Sequence, residues 1–298
     1  MAGTGRSTNC SSDHGVSRWG IAIWRVARGL AALVVVVLTF TMFGRTPTAQ
    51  AATAAPSRCL LRPALQLAPT DPPSPAAQPN HCTILSIGDS VGLDLGIGLA
   101  REFAHQPSVS LISRGVVSTG LVHNTFYNWP QHLTDYLSRW HPDVVVVCVG
   151  ANDHSSIAVN GRSVPLLTLP WQAAYQVRIR QIADIVRNYG AQIVWVGVPV
   201  SSTGGYRQAM KAMNSIYKGV MASTPGGFYI DTWNLFASST GAVRPTLKVN
   251  SRVMQVRSLD LIHYTPAGCD VFATYVIRSI AAKYNVILTP SAPAFISG

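Results

Sequence analysis

The stretch Thr83-Ile84-Leu85-Ser86-Ile87-Gly88-Asp89-Ser90-Val91-Gly92 (TILSIGDSVG) decides the fold. Thr83–Ile87 is a short apolar run of strand character. Gly88-Asp89 supplies turn material, and Val91–Phe103 follows with a helical pattern. The same alternation continues downstream. Val109–Ile112 is a second strand, and Trp129–Trp140 is a helix with Pro130 near its start. Val144–Val149 is a continuous β-branched run, suited to a strand buried on both faces. In Trp171–Tyr189, the residues Tyr175, Ile179, Ile182, Val186 and Tyr189 recur at three- and four-residue steps, and Gly190 ends the helix. Ile193–Val198 and Phe228–Ile230 are further strands; Tyr206–Met221 and Pro266–Tyr284 are further helices. Strands alternating with helices imply an α/β fold: a mostly parallel five-stranded sheet covered on both faces. Such sheets place their ligand site beyond the carboxyl ends of the strands.

Upstream of this pattern the chain changes character. Gly29–Gly44 is an uncharged apolar run preceded by Arg25 and Arg28, and Ala49-Gln50-Ala51 follows it. A basic start, a short apolar core and an A-x-A site make residues 1–51 a secretory signal. The alternative is an uncleaved membrane anchor, extended by Ile21–Trp24. Either way the retained arginines place the remainder outside the cytoplasm. Residues 52–80 are rich in Pro and Ala and read as a linker. Residues 81–287 form the folded domain and 288–298 a tail. Roughly 200 residues suffice for one well-cored domain.

The net charge is +11. Five arginines and one aspartate fall within residues 1–51, so most of the excess belongs to the remainder. A basic surface favours anionic envelope polymers or lipids. No Lys/Arg-rich run with interleaved aromatics occurs, which argues against a nucleic-acid partner. Cysteines stand at 10, 59, 82, 148 and 269 without a C-x-x-C pair, which argues against a zinc ribbon. Cys148 lies in an apolar strand. Cys59 and Cys82 flank a Pro-rich segment and are expected to form a disulfide.

Four short blocks carry chemistry. Gly88-Asp89-Ser90 follows the first strand and opens the first helix, where a serine hydroxyl meets the favourable potential of a helix N-terminus. The plain alternative is that Ser90 is an N-cap. Asp260-Leu261-Ile262-His263 precedes the last helix. A serine needs a base, and an imidazole needs a carboxylate to fix its tautomer, so Asp260, His263 and Ser90 make a candidate catalytic set. Gly150-Ala151-Asn152-Asp153 follows the most hydrophobic strand, where an Asn152 side-chain N–H suits an oxyanion; the stretch is also good turn material. Ser118-Thr119-Gly120-Leu121 follows the second strand, and Gly120 offers a backbone N–H.

Taken together and in order, these blocks resemble those of the SGNH hydrolases. That family is named for Ser, Gly, Asn and His, here matched by Ser90, Gly120, Asn152 and His263 over roughly residues 83–284. The strings Gly120-Leu121-Val122, Asn128-Trp129-Pro130 and Trp195-Val196-Gly197-Val198-Pro199 resemble a bacterial envelope branch of esterases and O-acyltransferase-like proteins. The resemblance implies a flavodoxin-like three-layer α/β/α sandwich. It also implies an oxyanion hole made by the Ser90 and Gly120 N–H groups and the Asn152 side chain. Gly88-Asp89-Ser90-Val91-Gly92 also satisfies the G-x-S-x-G elbow of α/β-hydrolases. Those enzymes place several strands before the elbow, whereas one strand precedes Ser90.

His123 and His154 follow the second and third blocks and are candidates for lining a substrate pocket. Arg257 is a candidate for holding an acidic substrate group or a local carboxylate. No H-E-x-x-H or similar spacing occurs, so neither a metal nor a cofactor is expected. The expected function is an exported serine hydrolase acting on an acylated small molecule or glycan. An O-acyltransferase and a catalytically silent glycan-binding protein are the alternatives. The N-terminal segment, if uncleaved, makes the membrane a partner. The sequence leaves the oligomeric state open.

Overall fold

The computed structural model describes residues 81–201 and 204–284. The expected signal or anchor (1–51), the linker (52–80) and the tail (288–298) lie outside the described residues.

The elements follow in the order β1 (Cys82–Gly88), α1 (Ser90–Phe103), β2 (Val109–Gly115), α2 (Trp129–Trp140), β3 (Val144–Cys148), β4 (Ile157–Val159), β5 (Arg162–Val164), α3 (Leu169–Asn188), β6 (Gln192–Val196), α4 (Gly204–Ser223), β7 (Phe228–Ile230), α5 (Trp233–Phe236), β8 (Thr246–Val249), β9 (Arg252–Gln255) and α6 (Pro266–Tyr284). Five strands form one sheet in the order β2-β1-β3-β6-β7. Every pairing in it is parallel. β3 is buried throughout, as its unbroken Val-Val-Val-Val-Cys run demands. Each buried valine there contributes on the order of 1.5–3 kcal/mol of transfer free energy.

Strand order reverses between β1 and β3, because β2 lies on one side of β1 and all later strands on the other. Right-handed crossovers then put α1 on the face opposite α2, α3 and α4. The contacts agree: α6 returns to pack on α1, while α3 packs on both α2 and α4. The result is the three-layer α/β/α sandwich with flavodoxin-like strand order. The reversal opens a crevice between the carboxyl ends of β1 and β3.

Local sequence sets the helix ends. Asn128 accepts the Gln131 N–H at the start of α2, and α2 stops at His141 in the left-handed region (φ 43°). Thr168 accepts the Trp171 N–H at the start of α3. Gly88 and Gly92 have a packing reason. A Cβ on either would come within 1.9 or 2.4 Å of the Cys148 carbonyl oxygen, so only glycines let α1 close onto β3. The G-x-S-x-G pattern is thus a product of helix–strand approach in this fold.

Two antiparallel hairpins go beyond the sequence reading. β4–β5 turns at Asn160-Gly161 (φ 49° and 75°), and β8–β9 at Asn250-Ser251 (φ 48° and 66°). Both are two-residue turns with paired positive φ, the kind that matches strand twist. Cys82 is disulfide-bonded, whereas Cys148 and Cys269 are free and buried. The partner of Cys82, and with it the expected Cys59–Cys82 pairing, lies outside the described residues.

Candidate active site

Asp89, the residue between β1 and α1, is the N-cap. Its Oδ1 accepts the Val91 and Gly92 N–H groups at 3.0 and 3.4 Å. Ser90 is therefore the first helical residue and not the cap, and its hydroxyl is free for another partner. That partner is His263, whose Nε2 lies 2.9 Å from Ser90 Oγ. His263 Nδ1 lies 2.6 Å from Asp260 Oδ2. An ionised carboxylate only accepts, so Nδ1 carries the proton and Nε2 is left to accept from the serine. The turn that allows this is local: Asp260 Oδ1 accepts the Ile262 and His263 N–H groups, and Leu261 takes φ 57°. Slight burial pushes the Asp260 carboxyl up. The hydrogen bonds from the His263 ring and from the two N–H groups outweigh it and bring Asp260 to about 2.

Two buried carboxylates fasten the loops around this chain of bonds. Asp89 Oδ2 accepts the Gly150 and Ala151 N–H groups at 2.8 and 2.7 Å, joining the serine turn to the loop after β3. Burial raises its carboxyl to about 6 against the pull of those N–H groups. Asp153 accepts from Leu121 N–H, Val122 N–H and the Tyr175 hydroxyl, joining the loop after β3 to the loop after β2. Burial raises Asp153 too. A Cβ at position 120 would fall 2.2 Å from Asp153 Oδ1, so this latch requires Gly120. On the fourth side, Asp94 of α1 accepts the Tyr264 N–H at 3.0 Å, one residue beyond His263.

Asn152 Nδ2 donates to the Thr119 carbonyl at 2.8 Å. That bond uses one amide hydrogen and leaves the second. The Ser90 N–H, at the first position of α1, has no intrahelical carbonyl to bond. Ser90, Gly120, Asn152, Asp260 and His263 thus come from four segments around the crevice at the carboxyl edge of β2, β1 and β3.

The remaining candidates fall differently. His123 is exposed and pairs with the Ser155 hydroxyl at 2.9 Å. His154 is exposed, with its ring edge-on to Tyr206 at 4.3 Å, and the Tyr206 hydroxyl donates to the Ala151 carbonyl. Neither histidine bonds a member of the Ser90–His263–Asp260 chain. Arg257 is buried away from solvent and, among the described residues, forms no ion pair with a carboxylate. Its side chain is 1% exposed and donates to the Ile262 and Val200 carbonyls at 2.6 and 2.8 Å. Its plane stacks on Tyr264 and Phe236, 4.0 and 4.8 Å from the ring centroids. The backbone and aromatic faces absorb the cation, so it is an internal brace for the histidine loop.

Sequence reasoning had not assigned Asp89, Asp94, Asp153 or Tyr206. Apart from the local cap that Asp89 makes on Val91 and Gly92, their bonds reach groups 22 or more residues away, so no spacing reveals the links between loops. Among the described residues no group of three or more His, Cys, Asp or Glu could hold a metal.

The family model described as "Protein of unknown function (DUF459)" matches residues 83–279. No curated protein matches the sequence. A solved Bacteroides fragilis structure, assigned to the acylhydrolases, is similar at a TM-score of 0.51 and 15% identity, covering 71% of this chain and 91% of that one. A catalytic mutant of an acetylxylan esterase from Geobacillus stearothermophilus is similar at 0.48 and 15%, covering 67% and 94%. A GDSL-like lipase from Bacteroides thetaiotaomicron is similar at 0.47 and 13%, covering 67% and 88%. The first of these carries the fold.

Proposed function

Since this chain belongs to DUF459, an SGNH-like family, we propose that it is an exported serine esterase that removes a small acyl group, such as acetyl, from an envelope glycan. The observation that carries the reading is the continuous chain Ser90 Oγ–His263 Nε2–Asp260. In this mechanism Ser90 Oγ attacks the ester carbonyl as its proton passes to His263 Nε2. Asp260 stays ionised and steadies the imidazolium. The Ser90 and Gly120 N–H groups and the second amide hydrogen of Asn152 receive the oxyanion. The C–O bond to the sugar breaks, and His263 returns the proton to the departing alcohol. Water then gives His263 a proton as it attacks the acyl-enzyme. The acid leaves, and Ser90 regains its hydrogen.

Release to water is favoured over transfer to a second sugar by the openness of the site. The His263 and Asp260 side chains are 40% and 45% exposed. Transfer requires water to be kept from the acyl-enzyme. Export rests on the Arg-flanked apolar run and the A-x-A site. The basic charge and the resemblance to acyl esterases support an envelope glycan as the acylated substrate.

Fluorophosphonate labelling followed by peptide mass analysis tests the serine. The expected result is one adduct, on the Ser90 peptide. A panel of acetylated cell-wall sugars, read by acetate release, then tests the substrate class. An unlabelled Ser90 with no acetate release from any sugar sinks the proposal.

A further inference from the structure

A cleft of about 440 Å³ lies between α4 and the segment from β7 into α5, apart from Ser90. Lys211, Asn214 and Lys218 of α4 line one side; Tyr229, Asp231 and Trp233 line the other. Its frame is fixed. The Asn214 amide takes the Val198 N–H at 2.8 Å and gives a hydrogen bond to the Val198 carbonyl at 2.9 Å, pinning α4 to the end of β6. Asp231 Oδ1 accepts the Trp233 N–H at 2.8 Å, and the Tyr275 hydroxyl holds the Asp231 carbonyl at 2.8 Å.

The chemistry of the lining points to one class of ligand. Lys211 and Lys218 are exposed and seven residues apart, so they share a helix face about 10 Å apart along the axis. Among the described residues neither forms an ion pair. The lining holds two lysines and one carboxylate, Asp231, so cations outnumber anions. Lys211 Nζ sits 5.3 Å from the centre of the half-buried Trp233 ring. A half-buried indole and two exposed lysines along one cleft suit a sugar that carries a negative group. Its C–H face meets the ring, and its anion meets the lysines.

Position links this cleft to the serine. Asp231 and Trp233 follow the carboxyl end of β7 as Ser90 follows that of β1. The two strands are three spacings apart in the sheet, about 14 Å. An oligosaccharide lying along that edge reaches both.

We propose that the α4–β7 cleft binds an anionic segment, bearing carboxylate or phosphate groups, of the glycan whose acyl ester is presented to Ser90. The link to Ser90 rests on the esterase reading; binding in the cleft does not. The test is fluorescence anisotropy of the full chain with three labelled oligomers of equal length: an oligogalacturonate, a glycerol-phosphate oligomer and a neutral xylo-oligosaccharide. One anionic oligomer should bind about tenfold more tightly than the neutral one, and which one identifies the anion. Lys211→Gln with Lys218→Gln should weaken it about tenfold. Arg180→Gln with Arg187→Gln removes equal charge at equal spacing from exposed positions of α3 and should leave binding within about twofold. Melting curves check that both pairs fold. Equal losses in the two pairs, equal binding of the neutral oligomer, or no anionic binding overturn the cleft. Turnover of p-nitrophenyl acetate by the wild-type chain is read in parallel. Anion binding without turnover sinks the esterase reading and spares the cleft; turnover without anion binding does the reverse.

Discussion

The Arg257 guanidinium holds the Ile262 carbonyl at 2.6 Å, one residue before His263. The second arm of the fork holds the Val200 carbonyl, so one buried cation ties the histidine loop to the chain beyond β6. Arg257→Gln removes that fork and leaves buried carbonyls without a donor. The expected loss of stability is roughly 2–4 kcal/mol, read by urea unfolding. Below the melting temperature kcat should fall roughly 10- to 100-fold, because the imidazole is no longer held to the serine, while KM changes little. An unchanged melting curve would show that Arg257 is not a brace.

Asp89 is the buried hub between the serine turn and the Asn152 loop. Asp89→Asn puts amide hydrogens where N–H donors converge and should cost roughly 2–4 kcal/mol. The pH dependence carries a sign. Asp89 stands at about 6 in the fold against the usual 3.8. The folded form therefore binds the proton more tightly. The associated stability is fully present below pH 3.8 and is lost as pH rises through 6, amounting to about 3 kcal/mol. Urea unfolding of wild type and Asp89→Asn at pH 4, 5, 6 and 7 isolates this contribution. The wild-type advantage should shrink by most of that amount, roughly 2 kcal/mol, between pH 4 and 7. A pH-independent difference means that burial does not raise Asp89.

The sheet was legible because its strands are continuous apolar runs and its helices have clear periodicity. Ser90, Asn152 and His263 were legible because each sits at a strand end or just before a helix, in the order that the resemblance requires. The hairpins were not, although Asn160-Gly161 is a strong turn signal. Their strands are three or four residues long, too short for a period-two pattern to stand out. Arg257 was misread because a sequence does not show whether a cation three residues before an aspartate faces the substrate or the core. Asp89 and Asp153 went unassigned for a related reason. Their hydrogen bonds cross 61 and 32 residues to backbone N–H groups, which any residue type except proline supplies.

Cys82 is bonded at the first position of β1. Cys59 is the expected partner, closing a loop of about 22 residues, for which the chain-entropy model gives on the order of 3 kcal/mol. Non-reducing peptide mapping of the protein purified without reductant should yield one cross-linked Cys59–Cys82 peptide, with Cys148 and Cys269 alkylated only after unfolding. Dithiothreitol should lower the melting temperature. Recovery of Cys59 as a free thiol in the folded protein rules the pairing out.

Ser90, His263 and Asp260 should behave as one unit. Ser90→Ala removes the nucleophile and should abolish turnover of small acyl esters while the melting curve stays close to wild type, because the helix cap belongs to Asp89. His263→Ala should be nearly as damaging, since an unassisted serine hydroxyl is a poor nucleophile at neutral pH. Combining the two should add little to either alone. Asp260→Asn should cost less than loss of the nucleophile, because Ser90 and His263 remain. It should still lower kcat, since an amide at Oδ2 no longer selects the Nδ1–H tautomer. Asn152→Ala removes an oxyanion donor and should lower kcat roughly 100- to 1,000-fold. It also frees the Thr119 carbonyl, so its melting temperature should be compared with that of Asn152→Asp, which removes the donor but keeps the size. Ester turnover that survives Ser90→Ala at wild-type rate would refute the mechanism and leave a glycan-binding protein in its place.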